Sequence, residues 1–90
     1  MTMLEIFESR LPEGVEIKKA THKGGRYDVV IVMDGTEGKA YLPKTCIPGE
    51  AEKVADFTIC AAMMDLYFKR GDIENIKLWL EKQNKLVEWK

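Results

Sequence analysis

THKGGRYDVVIVMDG, residues 21–35, holds the reading on which the fold turns. Gly24-Gly25 supplies the positive φ angles that a two-residue hairpin turn requires. The strand that follows, Arg26 to Asp34, has a β-branched centre, Val29-Val30-Ile31-Val32-Met33, with no polar alternation. A strand apolar on both faces belongs in the middle of a sheet, covered on each side. Tyr27, Val29, Ile31 and Met33 point one way; Val30 and Val32 point the other.

Neighbouring elements fall into place on either side. Val15 to Thr21 reads as a weak first strand, and Asp34-Gly35-Thr36-Glu37-Gly38 as the second turn. Lys39 to Pro43 then forms the third strand, with Ala40 and Leu42 adding to one apolar face. Upstream, Thr2 and Glu5 match a capping box, followed by Met3, Leu4, Phe7 and Leu11 at helical spacing. Pro12-Glu13-Gly14 ends that helix. Downstream, Pro48-Gly49 leads into a long helix from Glu50 to Arg70 with two apolar stripes. Val54, Phe57, Ala61, Met64 and Phe68 form one; Ala55, Ile59, Ala62 and Leu66 form the other. Apolar residues on two sides predict a helix held between the sheet and a further helix. Gly71 terminates it, Asp72 caps the next helix, and Ile73, Ile76, Trp79 and Leu80 are expected to face inward. Leu86 to Trp89 is either a last helical turn or a short extra strand. The expected architecture is a single α+β domain over residues 1–90: an N-terminal helix, a three-stranded antiparallel meander, a long helix and a second C-terminal helix (α-β-β-β-α-α).

Composition narrows the function. Fourteen Lys and Arg against fifteen Asp and Glu leave a net charge of −1, so no global field favours nucleic acid or anionic membrane. No apolar run approaches a membrane span, and the first residues lack a signal-peptide pattern. Cys46 and Cys60 lie far apart with no CxxC pattern and read as free thiols, so the cytoplasm is the expected compartment. One histidine and two distant cysteines do not make a metal site. No glycine-rich stretch has the flanks of a phosphate-binding loop. No cofactor and no enzymatic activity are expected.

The order helix, three strands, helix resembles the double-stranded-RNA-binding domain over roughly residues 1 to 68. His22 followed by Tyr27, Val29 and Ile31 is similar to that family's first hairpin, with one more residue between histidine and aromatic. Lys53, Ala55 and Ala61-Ala62 are similar to its final helix. The resemblance implies the fold. Glu52 and Asp56, however, stand where the family's other two lysines bridge phosphates, and carboxylates there replace attraction with repulsion. The complete element order is also similar, in order and size alone, to some small phage-encoded anti-CRISPR inhibitors of Cas9.

Between Glu16 and Asp28 the chain carries four fixed positive charges and no acid. Lys18, Lys19, His22, Lys23 and Arg26 are therefore the candidate partner-binding residues. The competing explanation is a solvated edge strand, whose lysines discourage edge-to-edge pairing. One helix covers only one face of a three-stranded sheet, so surplus apolar surface points to a protein partner or a second copy in a homodimer. The expected function is a non-enzymatic module acting by protein–protein contact, such as an inhibitor or accessory protein of a phage or other mobile element. The alternative is a nucleic-acid binder using the basic first hairpin.

Overall fold

A computed structural model describes residues 2–87. The chain forms α1 (Met3–Ser9), β1 (Glu16–Lys23), β2 (Arg26–Met33), β3 (Thr36–Pro43), α2 (Ala51–Arg70) and α3 (Ile73–Leu86), the α-β-β-β-α-α order expected. The strands pair antiparallel in the order β1-β2-β3. Val29 and Ile31 of the central strand are buried, with Leu42 beside them.

Local chemistry explains the ends of the elements. The Thr2 hydroxyl accepts the Glu5 amide and the Glu5 carboxylate accepts the Thr2 amide, so two orphan donors of α1 are satisfied reciprocally. Gly71 caps α2 in the left-handed conformation, φ 68°. The Asp72 carboxylate accepts the Asn75 amide at the start of α3.

The hairpin turns differ in detail from expectation. Only Gly24 takes a positive φ in the first. In the second, Asp34 at φ 49° and Gly35 at φ 79° complete a two-residue turn by themselves. β3 therefore begins at Thr36 rather than Lys39, and Gly38 is a strand residue, opposite Ile31. That position matters. A Cβ on Gly38 would lie 2.3 Å from the Ala62 carbonyl oxygen and 2.9 Å from Leu66 Cβ. β3 and α2 touch backbone to backbone.

α2 approaches β3 most closely and is fixed at both ends by arginines. At its start, Arg10, the cap residue after α1, holds Asp56 through two hydrogen bonds, 2.6 and 2.8 Å, and Glu52 at 3.0 Å. At its end, Arg70 donates to the Met33 carbonyl and the Thr36 hydroxyl, gripping the β2–β3 turn. Ala55, Ile59, Ala62 and Leu66 are the stripe buried against the sheet.

α3 packs on α2. Its inward residues include Ile76 and Trp79, as expected, and Trp79 reaches the core. Ile73 and Leu80 are instead exposed. The cap sets the phase: with Asp72 and Asn75 turned inward, the inner line continues through Ile76, Trp79, Gln83 and Leu86. α3 accordingly sits over the Cys60 side of α2, sharing a small cavity with Ile59 and Cys60. The second stripe of α2 is left largely uncovered, with Phe57 and Phe68 exposed. Leu86 ends α3 as a helical residue; the rest of the tail, from 88 onward, lies outside the described residues.

The Gly38 contact has a measurable consequence. Gly38→Ala is expected to destabilise by about 3 kcal/mol, because the added methyl meets backbone that cannot rotate away. Gly25→Ala, where nothing lies within 4 Å and φ is not positive, is expected to change stability by less than about 1 kcal/mol. Denaturant midpoints of the two variants test this, and equal midpoints would show that β3 and α2 are not in contact at Gly38.

Candidate partner-binding face

The sheet has one covered face and one open face. In the β1–β2 register, Glu16 pairs with Val32, Ile17 with Ile31, and then Lys19 with Val30. The shift between Ile17 and Lys19 is a β-bulge at Lys18. Strict alternation would place Lys18 and Lys19 on opposite faces. The bulge places both on the open one, since Lys18 reaches the carboxylate of Glu37, which lies opposite Val32 on β3.

Continuing the register, Thr21, Asp28 and Tyr41 form one row across the open face, and Lys23, Arg26 and Pro43 the next. Lys19, Val30 and Lys39 form the row before, so two lysines flank a half-buried valine. Tyr41 is 64% exposed, and the Arg26 guanidinium carbon stands 4.2 Å from its ring centroid. Arg26 also donates to Asp28 at 3.2 Å, which fixes the guanidinium over the ring.

Four of the five candidate residues therefore share this face: Lys18, Lys19, Lys23 and Arg26. His22 does not. It pairs with Tyr27 on the opposite side of the sheet, their rings edge to face at 4.7 Å, with Lys44 over the same tyrosine. Within the group, Lys18 and Arg26 are already engaged by Glu37 and Asp28. Lys39 and Tyr41 join the face without having been singled out in the sequence. The alternation Lys39-Ala40-Tyr41-Leu42 carried that signal, since Leu42 inward requires Tyr41 outward.

The two edges of the sheet are treated differently. On β3, Asp65 of α2 accepts the Lys39 amide at 2.8 Å and the Thr58 hydroxyl donates to the Tyr41 carbonyl. Helix side chains thus occupy hydrogen-bonding groups of that edge. β1, at the other end of the sheet, has lysines at 18, 19 and 23.

The remaining reactive groups are dispersed. Cys60 is buried, which pushes its thiol pKa up, with the nearby Asp56 charge adding to the effect. Cys46 packs its sulfur 3.8 Å from that of Met3. Among the described residues no group of three or more His, Cys, Asp or Glu is placed to hold a metal ion, and no helix is long and apolar enough to cross a membrane. Glu52 and Asp56, the carboxylates at the lysine positions of the RNA-binding resemblance, are both held by Arg10. No protein-family model matches the chain, and neither curated proteins nor solved structures yield a match.

Lys18 holds the Glu37 carboxyl below the usual glutamate range through their hydrogen bond. A depressed folded-state pKa means that the pair's contribution is in place above the unfolded value and is lost as pH falls through the lower, folded value. Carboxyl titration by NMR should show Glu37 titrating below free glutamate and moving upward in Lys18→Ala. No movement would mean that the lysine does not cross the open face.

Proposed function

We propose that this chain is a non-enzymatic binding module that recognises an acidic protein surface through the open face of its sheet. The observation that carries the reading is Tyr41, largely exposed beneath a fixed Arg26, on a face with Lys19 and Lys39 either side of Val30. Tyr and Arg are the side chains in which interface binding energy concentrates, and a rigid ring under a positioned guanidinium loses little entropy on contact. The surrounding lysines supply steering toward negative charge. Such contact suits an inhibitor or accessory protein, including one from a phage or other mobile element, working in the cytoplasm where Cys46 and Cys60 stay reduced. Similarity of element order to anti-CRISPR proteins does not itself carry function.

The same tyrosine and cations favour a second reading, in which a single-stranded nucleic acid stacks on Tyr41 and its phosphates meet the lysines. Salt separates the two: counterion release makes phosphate binding fall steeply with ionic strength.

Co-purification from host cells, with and without nuclease, tests the proposal. A nuclease-resistant protein partner is expected. Tyr41→Ala should weaken its binding by about 2 kcal/mol, roughly thirty-fold, with the fold intact. Lys19→Glu with Lys39→Glu should act mainly by slowing association, and less so at high salt. A partner unaffected by both variants would remove the open face from the function, and a nuclease-sensitive one would favour the second reading.

A further inference from the structure

A different surface, on the outer flank of α2, is left uncovered by this chain's own elements. Phe57, Ala61, Met64 and Phe68 recur at 4-3-4 spacing and so form one stripe. Phe57 is 40% and Phe68 74% exposed, while Ala61 and Met64 are half-buried. α3 does not cover this stripe but widens it. Gln83 donates to the Phe57 carbonyl at 3.3 Å, and the tight Gly71-Asp72 connection holds the other end of the hairpin. That antiparallel register sets Leu80 (44% exposed) and Ile73 (63% exposed) along the same flank, toward Phe68.

We infer that two copies of the chain associate through this flank, their α2 helices antiparallel about a two-fold axis. Two observations lead to a second copy. The stripe is complementary to itself when reversed: Phe57 of one copy meets Phe68 of the other, and the small Ala61 meets the larger Met64. A two-fold interface needs this self-matching surface. Area is the second. Aromatic side chains span about 150–250 Å2, so the exposed parts of the two phenylalanines offer roughly 200 Å2 per copy. Ile73 and Leu80 raise that to the order of 350 Å2 of apolar surface. With a polar rim making up a little under half of the contact, the pair reaches about 1,200 Å2 in total, the lower end of specific interfaces. Interfaces at this lower end belong with weak, transient associations, so dissociation in the micromolar range or above is expected.

Sedimentation equilibrium of the wild-type chain from about 1 μM to 1 mM should show a monomer–dimer equilibrium within that window. Phe68→Glu, at an exposed position, should be monomeric throughout while keeping the melting temperature that wild type shows at concentrations where it is monomeric. To fix the geometry, Phe57→Cys and Phe68→Cys are prepared separately in a Cys46→Ser background. Oxidation of the mixture should join the two variants to each other more readily than either to itself. A wild-type monomer up to 1 mM, a dimer retained in Phe68→Glu, or cross-links mainly between identical variants would each overturn the inference. None of these outcomes bears on Lys19, Lys39 or Arg26, so failure here is distinguishable from failure of the open-face reading.

Discussion

The contact between Gly38 and α2 is the constraint from which the rest of the architecture follows. With hydrogen in place of a side chain, the β3 backbone approaches the carbonyl of Ala62 and the amide of Leu66. Close approach demands small residues on the helix as well, and the fully buried Ala55 and Ala62 supply them. Once β3 and α2 are this near, Asp65 reaches the Lys39 amide and Thr58 the Tyr41 carbonyl. The helix thereby does for the β3 edge what a fourth strand would otherwise do, occupying groups that could template pairing with another chain. Below that contact, Ile59, Ala62, Met63 and Leu66 of α2 share one core with Val29 and Ile31 of the central strand. α1 supplies Met3 and Phe7 to the core, and Arg10 ties α1 to α2 through Asp56 and Glu52.

That arrangement puts all three helices on one side of the sheet and leaves the other face open. Val30 and Val32 then sit half-buried beneath the longer side chains around them instead of under a helix. Lys18 crossing to Glu37 and Arg26 lying over Tyr41 show how: aliphatic stems and a flat guanidinium cover apolar surface while keeping their charge in water. An exposed ion pair of this kind contributes little to stability. Its stronger effect is to hold the cations in place on the face.

Much of this fold was legible in the sequence, and the exceptions have physical causes. The valine run of β2, the capping box at Thr2, the Gly71 stop and the Asp72 cap were each decided by near neighbours, and local chemistry suffices to read them. Gly38 reads as part of a turn, because Asp-Gly-Thr-Glu-Gly looks uniformly turn-forming and only the contact with α2 distinguishes its two glycines. The bulge at Lys18 leaves no trace in composition, yet it decides which face two of the candidate residues occupy. In α3, the apolar character of Ile73 and Leu80 predicts an inward position, yet both are exposed. The phase is set instead by Asp72 and Asn75 turning inward, which rotates Ile73 and Leu80 to the flank. Sequence proximity groups His22 with its basic neighbours, but strand alternation sends it to the other side with Tyr27.

The open face can be weighed against its plainest explanation, edge protection. Lysines at 18, 19 and 23 lie on β1, an edge strand, and charge there hinders pairing with another chain. That argument stops at β1. β3 is shielded by Asp65 and Thr58 and gains nothing of this kind from Lys39. Nor does protection explain a tyrosine left mostly in water in the same strand, with an arginine fixed over its ring by Asp28. The guanidinium covers part of the ring while keeping its charge in water, a mild cation–π gain that still leaves most of Tyr41 exposed. In the proposed contact, a partner would meet that aromatic surface, the guanidinium and the two lysines at once, a combination that edge protection alone does not call for.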